Sequence, residues 1–183
     1  MPHRLFIGLR PPQSVRDALV DAMEGLEGVR WQDDEQLHLT LRFVGEVERP
    51  AAEDLAAVLG GIAWPAFPLT VDGVGHFERK GRPTALWARV PPSAPLEGLR
   101  QKVERACEST GQPRETRRFT PHITLARLGR LGTGIAPWIT RHASLHAGPW
   151  SADRFVLFES HLAHTGAHYE TVAEYRLRSE EAG

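Results

Sequence analysis

The sequence predicts an α+β protein of two similar lobes, each an antiparallel sheet with helices on its outer face, with both motif strands facing a common groove between the lobes. Three observations carry this. One short stretch occurs twice, as Leu37-His38-Leu39-Thr40-Leu41-Arg42-Phe43 and as Pro121-His122-Ile123-Thr124-Leu125-Ala126-Arg127, with the two histidines 84 positions apart in a chain of 183 residues. Each copy alternates polar and apolar residues and so reads as a half-buried strand. The surrounding elements also run in one repeated order: strand, helix, motif strand, helix, then strands, helix, motif strand, strands.

The first strand is expected over residues 3–9. Pro11 and Pro12 end it and open a helix, since proline is tolerated in a first helical turn. Val15, Ala18, Leu19, Ala22, Met23 and Leu26 recur at helical spacing, and Gly25 and Gly28 stop the helix. A polar lead-in over residues 31–36 feeds the first motif strand, which ends near Gly45. Pro50 starts a second helix with Leu55, Ala56, Leu59 and Ile62 on one face. Residues 67–77 and 84–90 read as two strands joined by a basic hairpin tip over residues 78–83. Ser93 and Pro95 open a third helix striped by Leu96, Leu99, Val103, Ala106 and Cys107. A basic segment, Arg114 to Arg118, leads into the second motif strand. A glycine-rich loop over residues 129–134 follows, then a short helix over 135–142 and a final strand pair over 150–159 and 169–177. The tail from Ser179 is expected to fray.

Composition bounds the possibilities. Residues 1–183 fit a single domain made of the two lobes. A net charge of −1 supplies no global field for nucleic acid, although 20 of the 22 cationic residues are arginine. Cys107 is the only cysteine, which excludes an intrachain disulfide and a thiolate metal cluster. It lies on a helical apolar stripe and is expected in the core. The apolar run over residues 5–9 is too short for a membrane span or a signal peptide, so a cytoplasmic protein is the default expectation.

Alternate strand residues face opposite ways, so His38 and Thr40 share one face, as do His122 and Thr124. Doubled, this supplies two imidazoles and two hydroxyls to one cleft. Hydrolysis of a phosphodiester needs one proton taken from water and another given to the leaving oxygen. Imidazole titrates near neutrality, so one histidine can be neutral while the other is protonated. Threonine hydroxyls can donate to the non-bridging oxygens, and no metal is required.

These paired motifs resemble those of the 2H phosphoesterase superfamily. The flanks resemble one branch, the bacterial and archaeal RNA 2′,3′-cyclic phosphodiesterases, formerly called 2′-5′ RNA ligases. The matching stretches are Arg4-Leu5-Phe6-Ile7-Gly8-Leu9, Trp31, Phe43-Val44-Gly45-Glu46, Gly81-Arg82-Pro83 with Leu86-Trp87, Phe119-Thr120-Pro121 and Leu157-Phe158-Glu159-Ser160. The resemblance implies a bilobal, pseudo-twofold fold with the site in a central cleft, and hydrolysis of an RNA 2′,3′-cyclic phosphate to a 2′-phosphate, with no cofactor and no metal. It implies His38 as proton donor and His122 as proton acceptor, with Thr40, Thr124 and Arg127 on the phosphate. Strict alternation turns Arg127 to the opposite face from His122, so it can serve only if the strand bulges or ends by Ala126. Arg42, in phase with His38, is the alternative.

The partner implied is RNA with a 2′,3′-cyclic phosphate end, and a monomer is expected. Arg42, Phe43, Arg79, Arg82, Arg117 and Arg118 are candidate RNA contacts, with Lys80 and Arg114 beside them. His161, His164 and His168 have spacings that could suggest zinc, but the Thr165-Gly166 turn signal interrupts them and no metal site is expected. His3, His76, His142 and His146 are read as solvated or structural. Two alternatives stay open: a 2′-5′ RNA ligase running the same chemistry in reverse, and a non-catalytic module that binds RNA ends.

Overall fold

The computed structural model describes residues 2–129 and 134–179. Strand β1 (His3–Leu9) is followed by α1 (Gln13–Asp21), the short β2 (Val29–Trp31), the first motif strand β3 (Leu39–Val47) and α2 (Arg49–Leu59). Then come β4 (Phe67–Asp72), β5 (Val74–Arg79), β6 (Arg82–Arg89), α3 (Ala94–Ser109), the second motif strand β7 (His122–Leu128), α4 (Ala136–Arg141), β8 (His146–Ala152), β9 (Arg154–Ala163) and β10 (Gly166–Arg176).

The α+β class with antiparallel sheets is as expected. The strands divide between an eight-stranded sheet and a two-stranded one. The large sheet runs β10-β9-β1-β3-β7-β6-β5, with β2 beside β7. The repeat is visible in it, because β1 flanks β3 on one side of the centre and β6 flanks β7 on the other. The two half-sheets meet at a single residue pair, Leu39 with Ile123, before β7 turns to β2. Both residues are buried, and they are the aliphatics inside the two His-x-Thr motifs. The repeated stretch therefore forms the seam.

The helices cover one face of the sheet. Helix α3 starts where the sequence places it: the Ser93 hydroxyl accepts from the Leu96 N–H at 3.4 Å, and Pro95 sits in the first turn. Its buried stripe is the five residues expected, Leu96, Leu99, Val103, Ala106 and Cys107. They pack with Ile7, Leu19, Leu39, Leu55, Leu86, Ile123, Leu125 and Phe155 in one hydrophobic core drawn from both halves. Burial pushes the Cys107 thiol up to about 11, so it is a core residue and no nucleophile.

Two expectations differ. Residues 67–77 form two strands because Gly73, at φ +88°, turns the chain between them. Its first part, β4, pairs with β8, which the sequence reading missed. Helix α1 closes at Asp21, short of Met23 and Leu26. Most of the glycine-rich loop over 129–134, and the tail beyond Ser179, lie outside the described residues. Among the described residues, no helix is long and apolar enough to cross a membrane.

Candidate active site

On the other face of the sheet, over the seam, is a cleft of about 420 Å³. His38, Thr40, His122 and Thr124 all line it. Each imidazole is held in the same way. His38 Nδ1–H donates to the carbonyl of Gln36 at 2.7 Å, and His122 Nδ1–H donates to the carbonyl of Thr120 at 2.6 Å. A carbonyl can only accept, so in both rings Nε2 is the nitrogen left for chemistry.

The acceptor for His38 is itself positioned. A turn over Asp34–Gln36 is closed by a capping box between Asp33 and Gln36, and the Gln36 side chain also donates to the Ala167 carbonyl at 2.6 Å. With the ring neutral, the Thr40 hydroxyl donates to His38 Nε2 at 2.8 Å. Gly8 lets β1 come this close: a Cβ there would sit 2.7 Å from the Leu39 carbonyl oxygen and 3.4 Å from His38.

Both motif strands bulge at the same place. In β3, Thr40 pairs with Gly8 and Arg42 with Ile7, leaving Leu41 unpaired. In β7, Thr124 pairs with Trp87 and Ala126 with Leu86, leaving Leu125 unpaired. An extra residue reverses the facing of everything after it. Arg127 therefore returns to the face of His122 and Thr124, and it lines the cleft.

The same bulge removes Arg42 from the cleft, correcting the expectation that its phase with His38 makes it a phosphate or RNA contact. Arg42 is buried at 8 % exposure. Its Nε donates to Glu104 at 2.7 Å, and its two terminal nitrogens donate to the carbonyls of Phe43 and Pro113. Each of its three nitrogens donates, tying the C-terminal half of α3 and the loop at Pro113 to β3. Phe43, the residue after Arg42, takes the cleft position instead, with 53 % exposure.

Each imidazole lies against aromatic rings. Phe6 is 4.7 Å from the His38 ring, Tyr169 5.4 Å and Phe158 5.9 Å. Phe77 is 4.8 Å from the His122 ring and Trp87 5.8 Å. Burial pushes His38 down to about 4, with the positive charges of His122, Arg10 and Arg127 adding to the effect. Burial also pushes His122 down, and Arg127 adds to it. Both rings are thus neutral near pH 7 in the free protein, and an anion between them and Arg127 would favour protonation of either.

Of the candidate RNA contacts, Arg117 and Arg118 line the cleft with Phe119. Arg117 is paired with Glu115 at 3.1 Å, and hydrogen bonds from its side chain and backbone N–H hold that carboxyl down at about 2. Arg79, Lys80 and Arg82 are exposed at the β5–β6 hairpin tip, outside the cleft lining, where Lys80 and Gly81 make the turn with positive φ. Arg114 is exposed beside Glu108. Sequence reasoning missed Phe6, Tyr169, Phe77 and Gln32, which also line the cleft. Phe6 and Tyr169 become neighbours only through the pairing of β1, β9 and β10, which no local pattern specifies.

This arrangement can now be set beside known proteins. The family model described as the 2′-5′ RNA ligase superfamily matches residues 11–163. The chain belongs to that superfamily. A relative from Aeropyrum pernix, named RNA 2′,3′-cyclic phosphodiesterase, is 33% identical over 150 residues, covering 80% of this chain and 85% of the relative. One of the same name from Thermus thermophilus is 32% identical over 188 residues, covering 97% and 91%. Among solved structures, a Thermus thermophilus protein superimposes with a TM-score of 0.83 at 27% identity, covering 97% of this chain and 100% of that one. E. coli LigT complexed with 3′-AMP gives a TM-score of 0.79 at 25% identity, covering 97% and 99%. Both solved structures share the chain's fold along nearly its whole length.

Proposed function

We propose that this chain is an RNA 2′,3′-cyclic phosphodiesterase, opening the cyclic phosphate at an RNA end to a 2′-phosphomonoester by paired histidine acid–base catalysis. The observation that carries the reading is the matched pair of bulged strands, which delivers two imidazoles, two threonine hydroxyls and one arginine to a single cleft. The names of the relatives at about one-third identity support the substrate.

The cleft residues divide the work. Thr40, Thr124 and Arg127 bind the non-bridging oxygens, Arg127 by its planar fork. One histidine takes a proton from the attacking water while the other gives one to the departing ribose oxygen. The water enters opposite the leaving oxygen, so the ribose lies on the donor's side. Equivalent positions break the symmetry here: the first half has Phe43 where the second has Arg127. Phe43 is a stacking surface for the terminal base, with Phe6 and Tyr169 close behind it. A base stacked there would lie on the His38 side, which supports His38 as donor and His122 as acceptor. Arg117 and Arg118 border the same cleft and can follow the RNA backbone.

The test is turnover of a nucleoside 2′,3′-cyclic phosphate in excess EDTA, with the product identified. Release of the 2′-phosphate is expected. No turnover, turnover only with an added divalent ion, or release of the 3′-phosphate would each contradict the reading.

A further inference from the structure

The sheet face opposite the cleft carries a second cluster of chemically capable side chains. On β9, Phe158 faces the cleft aromatics while Leu157 joins the main core. Alternation therefore puts Glu159 and His161 on the core side, beyond the last helix-covered residues. On β10, Glu170 lies directly opposite Glu159, and His168 directly opposite His161. His161 Nε2 is 2.9 Å from a Glu170 carboxylate oxygen and 3.6 Å from one of Glu159. One ligand atom from each of these three residues lies within 4.8 Å of the other two. On the neighbouring strand, His3 Nδ1 is 2.5 Å from the other oxygen of Glu159 and orients that carboxylate.

We propose that Glu159, His161 and Glu170 form a binding site for a transition-metal dication of the zinc class, separate from the catalytic cleft. The charge balance points the same way as the geometry. Two carboxylates at directly opposed strand positions repel each other. Among the described residues, the ion pairs of Glu159 and Glu170 are with His3 and His161 alone, with no lysine or arginine between them. A dication seated between the two opposed carboxylates offsets that repulsion. An imidazole nitrogen beside two carboxylates suits zinc and its neighbours rather than magnesium or calcium, which prefer oxygen alone. Zinc bonds of about 2.0–2.2 Å draw the three atoms in by a modest side-chain rotation.

The sequence spacing of His161, His164 and His168 gave no such site, because the turn at Thr165 and Gly166 interrupts it. In the structure the turn falls at His164 and Thr165, and it folds β10 back and sets Glu170 opposite Glu159. An ion here ties β9 to β10. The other face of this hairpin holds Phe158 and Tyr169 against His38, so the ion braces the cleft wall without touching substrate.

The full chain, stripped of metal by chelation and dialysis, would be titrated with Zn²⁺ by calorimetry and with Co²⁺ by visible absorption. Saturation at about one ion per chain with a raised Tm is expected, since a ligand of the folded state stabilises it. His161→Ala and Glu170→Gln are exposed changes that should keep the far-UV circular dichroism and cyclic-phosphate turnover. Each should weaken Zn²⁺ binding by more than about 10-fold, the loss typical even of an outer partner. His122→Ala should bind Zn²⁺ as the parent does. Absence of saturable binding would overturn the proposal. So would binding that survives both His161→Ala and Glu170→Gln, including the case where it is lost in His122→Ala, which would place the ion in the catalytic cleft.

Discussion

Arg127 and Phe43 occupy equivalent places in the two halves: each stands five residues after its motif histidine, and each is turned into the cleft by a bulge at the residue following the threonine. The chain thus keeps its repeat in backbone and breaks it in chemistry, with a cation on one side and an aromatic ring on the other. Arg127→Ala should lower kcat by roughly 10²–10³, the loss typical of one removed donor to a developing charge. Arg127→Lys should recover only part, because an ammonium keeps the charge and loses the fork. A near-parental kcat for Arg127→Ala in steady-state assays would take it off the phosphate.

Arg42 should respond in the opposite way. It is buried and bound to Glu104, and truncation leaves that carboxylate without its partner. Arg42→Ala should cost about 3–5 kcal/mol of stability, as breaking a buried pair does. Denaturant unfolding measures this, and kcat of the fraction still folded should change little. A large fall in kcat with unchanged stability would return Arg42 to the chemistry.

Phe43 is expected to act on binding. Base–aromatic stacking is worth about 1–3 kcal/mol by alanine substitution. Phe43→Ala should therefore raise KM for a nucleoside 2′,3′-cyclic phosphate by roughly 5- to 150-fold. It should barely change KM for ribose 2′,3′-cyclic phosphate, which has no base. An equal effect on both would mean that Phe43 shapes the cleft instead of stacking on the base.

What could be read from the sequence divides along physical lines. The helix faces were legible because the period of 3.6 is local: the stripe of α3, from Leu96 to Cys107, is buried as expected. The meeting of His38 and His122 was legible because a repeat implies a twofold, and a twofold brings equivalent strands together. The facing of Arg127 was legible only as a condition, that its strand bulge, and that of Arg42 was not, since a bulge inserts one residue and inverts the alternation on which the reading depends. Gly73 split an apolar run that alternation alone would extend, and the strand expected over residues 150–159 is divided between β8 and β9. Phe6, Tyr169, Phe77 and Gln32 enter the cleft through pairings distant in sequence.

The pH dependence follows from burial. His38 is held down at about 4 and His122 below its ordinary value of 6.5. The proposed acid–base catalysis requires the pair to carry one proton, and that fraction falls above the higher of the pair's two apparent values. The kcat/KM profile, which reports the free enzyme, should therefore be bell-shaped with its optimum on the acid side of neutrality. A bound phosphodiester anion favours imidazolium, so the kcat profile should lie at higher pH. Coincident profiles, or a flat kcat/KM from about pH 5 to 9 with chemistry rate-limiting, would contradict this.

The division of labour between the two histidines can be measured with the leaving group. A proton donor matters when the leaving oxygen is basic, as a ribose hydroxyl is, and matters little for a nitrophenolate. The base that activates water is needed in both cases. On the cyclic phosphate, His38→Ala and His122→Ala should each lose about 10²–10⁴ in rate. On a nitrophenyl phosphodiester with KM similar to the parent's, His38→Ala should recover most of its deficit while His122→Ala stays slow. Rescue of His122→Ala instead would exchange donor and acceptor. Rescue of neither, with binding intact, would show both histidines acting as electrostatic clamps on the phosphoryl group and contradict acid–base catalysis by the pair.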